Sequence, residues 1–190
     1  AKDGVLIGAV VIADTLKDDA KSAIASLKAQ KLHTVMLTGD SESAANAIAE
    51  ETGIDEVYSK LLPDEKLLKL QEQRTKHGAV MFVGDGINDA PVLAGADCGV
   101  AMGSGADAAI EAADVVFMTS SVEAIPQAIA IGKKASRIAW QNVVFALVVK
   151  ALVMILGLLG FANMWMAVFA DTGVAMLCVL NSIRALKIQS

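Results

Sequence analysis

Asp85, Asn88 and Asp89 sit together in the segment Gly84-Asp85-Gly86-Ile87-Asn88-Asp89-Ala90-Pro91. Two carboxylates and an amide so placed form a hard-oxygen cluster. Such clusters suit Mg²⁺, which takes one or two carboxylates and completes its shell with water and phosphate oxygens. The flanking glycines let backbone approach a ligand closely. The structural alternative is a polar loop in which Asp89 only caps the next helix. Two further segments carry phosphate chemistry. Thr38-Gly39-Asp40 offers a hydroxyl and backbone N–H groups at a helix start, an anion site or a plain N-cap. Lys66, behind Pro63-Asp64-Glu65, can bring a cation to the same region or stay solvated. Anion cradle, lysine and carboxylates for Mg²⁺ are together the parts of a phosphoryl-transfer site.

These residues need a scaffold, and the hydrophobic pattern supplies one. Ala79-Val80-Met81-Phe82-Val83 is a continuous apolar run, so the Asp85 segment leaves the carboxyl end of a buried strand, where ligands bind in open α/β sheets. Val5 to Ala13, Thr34 to Leu37, Val57 to Ser59, Cys98 to Ala101 and Val115 to Met118 read as further strands. Helical spacing appears over 16–29 (Leu16, Ala20, Ile24, Leu27), 41–51, 63–76 and near 106–113, with Gly53 as a stop and Pro63 as a start. Alternating strands and helices with non-alternating strands predict a parallel sheet covered on both faces.

The bulk composition divides the chain. It has 190 residues, 55% hydrophobic and 4% aromatic, with mean hydropathy +0.54, too apolar for a purely soluble domain. The net charge of −5 argues against nucleic acid as a partner. Cys98 and Cys178 form neither a disulfide framework nor a CxxC metal site and read as packed side chains. His33 and His77 lie in polar stretches and read as ordinary surface residues. Lys2-Asp3-Gly4 opens the chain without a signal-peptide cleavage pattern.

Residues 1–137 read as the α/β unit with a linker helix, and 138–190 as membrane. Two spans are expected, at about 141–161 and 165–186, each near the roughly 20 residues that cross a bilayer. Lys133, Lys134 and Arg137 precede the first span, Arg184 and Lys187 lie at the end of the second, and the turn between them has no basic residue. That asymmetry predicts a multi-pass protein of the cell membrane with the α/β unit cytoplasmic. Trp140 and Trp165 stand where interfacial anchors belong. A buried helical hairpin of a larger soluble protein is the alternative. Lys150 and Asp171 fall inside the spans, where ionisable residues are costly and mark function. Counted from the turn at Asn163 they differ in depth by roughly 7 Å, within a lysine's reach, and are expected to form a charge pair around a transported cation. The bland reading has Lys150 snorkelling to the interface and Asp171 capping a broken helix.

Thr38-Gly39-Asp40, Pro63-Asp64-Glu65-Lys66 and Gly84 to Pro91 together resemble the P-domain motifs of P-type ATPases, a branch of the haloacid dehalogenase-like fold. The resemblance covers essentially the whole chain. It implies an α/β, haloacid dehalogenase-like parallel-sheet P-domain, in part, followed by a two-helix transmembrane hairpin. It further implies that Asp85 binds Mg²⁺, that Thr38 and Gly39 of the Thr38-Gly39-Asp40 loop contact the phosphoryl group, and that Lys66 stabilises its charge. Asn88 and Asp89 then complete the site, with Asp89 beside Asp85 on the cofactor side. The two-helix tail, the membrane Lys150 and Ala170-Asp171-Thr172-Gly173 are similar to the zinc/cadmium/lead exporters of the heavy-metal branch. Met176-Leu177-Cys178 does not match the Met-Ser pattern of copper pumps, nor 170–173 the His-Glu-Gly pattern of cobalt-type members. The implied function is ATP-driven export of Zn²⁺, Cd²⁺ or Pb²⁺ through an aspartyl-phosphate.

The DKTGT nucleophile sequence and the TGE actuator loop do not occur in these residues. The chain is therefore expected to be a carboxyl-terminal piece, inactive alone, whose partners are the bilayer and the amino-terminal part of the pump. ATP would reach it through those other domains. A membrane-tethered haloacid dehalogenase-like phosphatase with Asp14 as nucleophile is the main alternative. It is weakened by Leu16, where such enzymes carry a second aspartate. A binding or scaffold protein without turnover is the third reading.

Overall fold

The computed structural model describes residues 16–103, 105–161 and 163–186. The strand expected over Val5–Ala13, together with Asp14 and Lys187, lies outside them. The chain forms two compact units, residues 1–125 and 126–190. Composition placed the change at 137/138. The physical division comes earlier because the linker helix and the first apolar stretch are one unbroken helix beginning at Ala124.

In the first unit, helix α1 (Ala20–Ala29) precedes strand β1 (Val35–Leu37). Helix α2 (Glu42–Thr52) then crosses over to β2 (Glu56–Tyr58), and the strands pair in parallel with Val35 opposite Glu56. Ser41 starts α2 by accepting the Ala44 N–H, and Gly53 ends it at φ 77°, the left-handed cap expected of glycine. Helix α3 (Pro63–His77) follows, with Pro63 at its start and the Glu65 carboxylate accepting the Leu62 N–H at 2.8 Å. Arg74, Lys76 and His77 fall in its last turn, the favourable end for cations.

The second parallel sheet has the order β3 (Met81–Gly84), β4 (Cys98–Met102), β5 (Val115–Phe117). Helices α4 (Ala90–Gly95) and α5 (Asp107–Ala112) make its two crossovers, as parallel pairs require. The core lies around β4: Val100, Ala101, Val92, Leu93 and Ala109 are each at most 1% exposed. Burying such aliphatic side chains stabilises by roughly 1.5–3 kcal/mol each for the larger ones. Gly99 must be glycine, since a side chain there would strike the Leu93 backbone.

The unit is closed by its own ends. Asp19, just before α1, accepts hydrogen bonds from Ser121 Oγ at 2.6 Å and from the Glu123 N–H at 3.2 Å. Lys17 Nζ donates to the Ser120 carbonyl at 2.8 Å. The Ser121 hydroxyl, followed by the Glu123 amide, holds the Asp19 carboxyl below its ordinary pKa. A depressed carboxyl contributes stability above its unfolded pKa, about 3.9, and loses it as pH falls through the folded value. Asp19→Asn is therefore expected to lower the melting temperature at pH 7, with the gap to wild type closing in acid. Equal melting at pH 7 would exclude Asp19 from the closure.

The second unit contains most of α6 (Ala124–Leu158) and all of α7 (Met164–Ser182), which ends in a 3-10 turn, Ile183–Ala185. Asn163 opens α7 by accepting the Met166 N–H at 2.9 Å. Both helices are long and apolar enough to cross a membrane. None of the most apolar window of α6 is buried, and 6% of that of α7, which is not how the core helices of a soluble protein sit in their own fold. At about 1.5 Å per residue the 35 residues of α6 are longer than a hydrocarbon core of about 30 Å. Asn142 joins the helices: its amide donates to the Cys178 carbonyl (3.2 Å) and Ser182 Oγ (2.9 Å), while its oxygen accepts from Asn181 (2.8 Å).

Candidate functional site

Asp85 leaves the carboxyl end of β3, as its apolar lead-in predicts, and Ile87–Asp89 turn through a single 3-10 turn into α4. That turn aims Asp89 back at the loop. Its Oδ2 lies 3.4 Å from the Gly86 N–H, and its Oδ1 accepts from Lys66 Nζ at 2.8 Å. A side chain at Gly84 would meet Asp89 Cβ at 2.9 Å, so the glycine makes room for this carboxylate. The Lys66 and Asp89 side chains are only 16% and 14% exposed. Lys66 is thus not a solvated helix lysine: the first turn of α3 delivers it to the loop that follows β3.

Asp85 stands differently. It is exposed, and among the described residues its carboxylate has no hydrogen-bond partner. Its backbone is fixed, because its carbonyl accepts the Ala106 N–H at 2.9 Å, and a side chain at Gly105 would lie 2.8 Å from that oxygen. This brace from the loop after β4 was not anticipated from sequence, although a glycine following a buried strand was its signal. With Asp89 engaged by Lys66 and Gly86, Asp85 is the open hard-oxygen donor of the loop. Asn88 is exposed beside it. An exposed carboxylate without a partner among the described residues fits Mg²⁺, which completes its shell with water and phosphate oxygens.

The Thr38-Gly39-Asp40 loop leaves the carboxyl end of β1. Thr38 Oγ1 donates to Asp40 Oδ2 at 2.6 Å and accepts the Asp40 N–H at 3.1 Å. The Thr38 N–H is held by the Tyr58 carbonyl at 2.9 Å, and the Thr38 carbonyl by Leu61 N–H at 3.0 Å. The loop is therefore pre-shaped by its own contacts, while the Gly39 N–H has no acceptor among the described residues. The structure brings Lys66 to Asp89, and Thr38 to Asp40; each group stands at the carboxyl end of parallel strands.

In the second unit Lys150 Nζ lies 3.0 Å from Asp171 Oδ1. The pair sits in a groove of about 590 Å³ between α6 and α7, lined mainly by apolar groups such as Val153, Met154 and Ala167. Cys178 packs against the Asn142 carbonyl (3.8 Å), and Cys98 is a free thiol whose burial, followed by the Asp114 charge, pushes its pKa up. Both cysteines are free, as expected. His33 and His77 are exposed, but they are not ordinary surface residues: their rings stack with centroids 4.4 Å apart. No local pattern links residues so far apart in sequence.

A family model described as "haloacid dehalogenase-like hydrolase" matches residues 2–97. The whole chain is 49% identical to a cadmium, zinc and cobalt-transporting ATPase of Bacillus subtilis (strain 168), of which it covers 28%. It is 49% identical over 98% of its length to a zinc-transporting ATPase of Synechocystis, covering 26% of that protein. A crystal structure of a zinc-transporting PIB-type ATPase in the E2.Pi state superposes on 92% of the chain with a TM-score of 0.88 at 40% identity, again over 28% of the larger protein. The chain thus spans little more than a quarter of the relatives it matches.

Proposed function

The chain belongs to the haloacid dehalogenase-like hydrolases, and from that premise we propose that it is the phosphoryl-handling unit and final membrane hairpin of a P-type ATPase that exports divalent heavy-metal cations. The observation that carries this reading is the Lys150–Asp171 pair, 3.0 Å apart between two bilayer-length helices. A tethered phosphatase has no use for a costly ion pair in apolar surroundings; a cation pathway does.

The division of labour follows from the contacts. Lys66, nearly buried and anchored by Asp89, presents a fixed positive charge to the phosphoryl group. The Gly39 N–H binds its oxygens and the Thr38 hydroxyl turns its proton from Asp40 Oδ2 to them, in a loop that the Asp40 N–H still shapes by donating to Thr38 Oγ1. Asp89 positions Lys66 and braces Gly86, while Asn88 offers an amide to the phosphate or its water. Asp85 is the residue that would hold Mg²⁺, with Asp89 beside it; when bound, the ion neutralises charge on the phosphoryl oxygens. The phosphorylated aspartate, ATP and its binding domain belong to other parts of the pump.

In the membrane, Asp171 supplies a hard oxygen to the transported cation and Lys150 balances its charge when no ion is present. Names of the relatives support zinc and cadmium as cargo. The basic residues that flank the spans, Lys133, Lys134, Arg137 and Arg184, support a cytoplasmic α/β unit. Inside-out vesicles bearing the full-length protein are expected to take up radioactive zinc when ATP and Mg²⁺ are added. If instead this chain alone hydrolyses an aryl phosphate and Asp14→Asn stops it, the phosphatase reading replaces this one.

A further inference from the structure

At the amino ends of β1 and β2, away from the phosphate loops, three metal-ligating side chains converge. His33 precedes β1, Glu56 begins β2, and His77 is the last residue of α3. One donor atom from each lies within 4.8 Å of the others. His33 Nε2 is 3.2 Å from Glu56 Oε1, and the two imidazoles are stacked, tilted by 22°. In a tetrahedral Zn²⁺ site with metal–ligand bonds of about 2.0–2.1 Å the donors stand about 3.3 Å apart. A metal must lie in the plane of each ring it binds, so binding turns the imidazoles out of their stack to reach that spacing. We propose that His33, Glu56 and His77 form a peripheral binding site for a zinc-class divalent cation, with its fourth position open to water.

The supporting shell favours this over chance proximity. A metal-bound imidazole is usually oriented by a carboxylate at its other nitrogen. His33 Nδ1 faces Asp55 Oδ2 at 3.7 Å. Asp55 is itself fixed by the Thr34 N–H at 2.9 Å, by Thr34 Oγ1 at 2.7 Å and by Lys28 Nζ at 2.7 Å. Glu56 is likewise oriented: its Oε2 accepts from Gln73 Nε2 and from the Tyr58 hydroxyl, each at 2.9 Å, which leaves Oε1 for the site. Oε1 now pairs with Lys76 Nζ at 2.6 Å. Lys76 is exposed and can swing into solvent, so it is the competitor a bound cation displaces. Two imidazoles and one carboxylate suit Zn²⁺, whereas Mg²⁺ prefers an all-oxygen shell.

His33 and His77 are the two histidines of the sequence, which makes the test residue-specific. The full-length protein in detergent is treated with diethyl pyrocarbonate, and modification at each histidine is mapped by mass spectrometry. Zn²⁺ at about ten times its dissociation constant is expected to slow modification of both residues about tenfold, by mass action. Millimolar Mg²⁺ should leave both rates unchanged. Glu56→Gln should weaken the zinc protection about tenfold or more, and Lys76→Ala should strengthen it. Equal modification with and without Zn²⁺, in wild type and in Lys76→Ala alike, overturns the proposal. So does protection of one histidine alone. The readout is blind to zinc at Asp171, so failure here leaves the transport reading untouched, and failure of transport leaves this site standing.

Discussion

Asp171→Ala, made in the full-length pump, is expected to abolish zinc-stimulated ATP hydrolysis while expression is retained. Two effects act together. The substitution removes the oxygen offered to the cation, and it strands Lys150 in an apolar groove. An unpaired charge at the centre of a membrane helix costs about 2.5–3.5 kcal/mol on insertion scales. The two effects separate in the double variant Lys150→Ala/Asp171→Ala, which has no stranded charge. If Asp171 is a ligand, the double variant regains the detergent stability lost by Asp171→Ala and stays inactive toward zinc. Zinc stimulation persisting in Asp171→Ala would remove the residue from the ion path.

Asp85→Ala is expected to block formation of the acid-stable phosphoenzyme from ATP and Mg²⁺. Asp85 is the open carboxylate of its loop, whereas Asp89 is engaged by Lys66 and Gly86. Loss of about 4 kcal/mol of metal-borne charge stabilisation corresponds to about a thousandfold in rate. The fold should survive, because the bonds that fix Asp85 are made by its backbone. Radiolabelled phosphate incorporation at the wild-type rate would reject the assignment. Asp89→Ala has a different expected signature, since it frees Lys66 and relaxes the loop. It should reduce stability as well as phosphorylation.

Much of this is legible in the sequence. The strands stand out as short apolar runs; β4, from Gly99 to Met102, is continuously buried as a covered parallel strand should be, whereas β1, β2, β3 and β5 are only partly covered. Caps were local and therefore readable: Ser41 and Gly53 bound α2, and Pro63 opens α3. The Asp85 segment was legible because its chemistry is contiguous. What joins distant residues was not. Lys66 and Asp89 could be placed in one site, but their near-burial and direct pairing depend on how α3 and α4 pack. His33 and His77 sit 44 positions apart without a shared pattern, so their stacking emerges only when β1 and the end of α3 are brought side by side.

The contacts between α6 and α7 bear on how the protein is made. Released singly into lipid, α6 would carry Lys150 and Asn142 without their partners on α7, and α7 would carry Asp171 without Lys150. Held as neighbours, the acid and the base neutralise each other, and Asn142 meets Cys178, Asn181 and Ser182. The low-energy route into the bilayer is then a concerted one, in which the second helix waits beside the first until both can partition as a unit. The Lys150–Asp171 pair thus also favours insertion of the two helices as one unit.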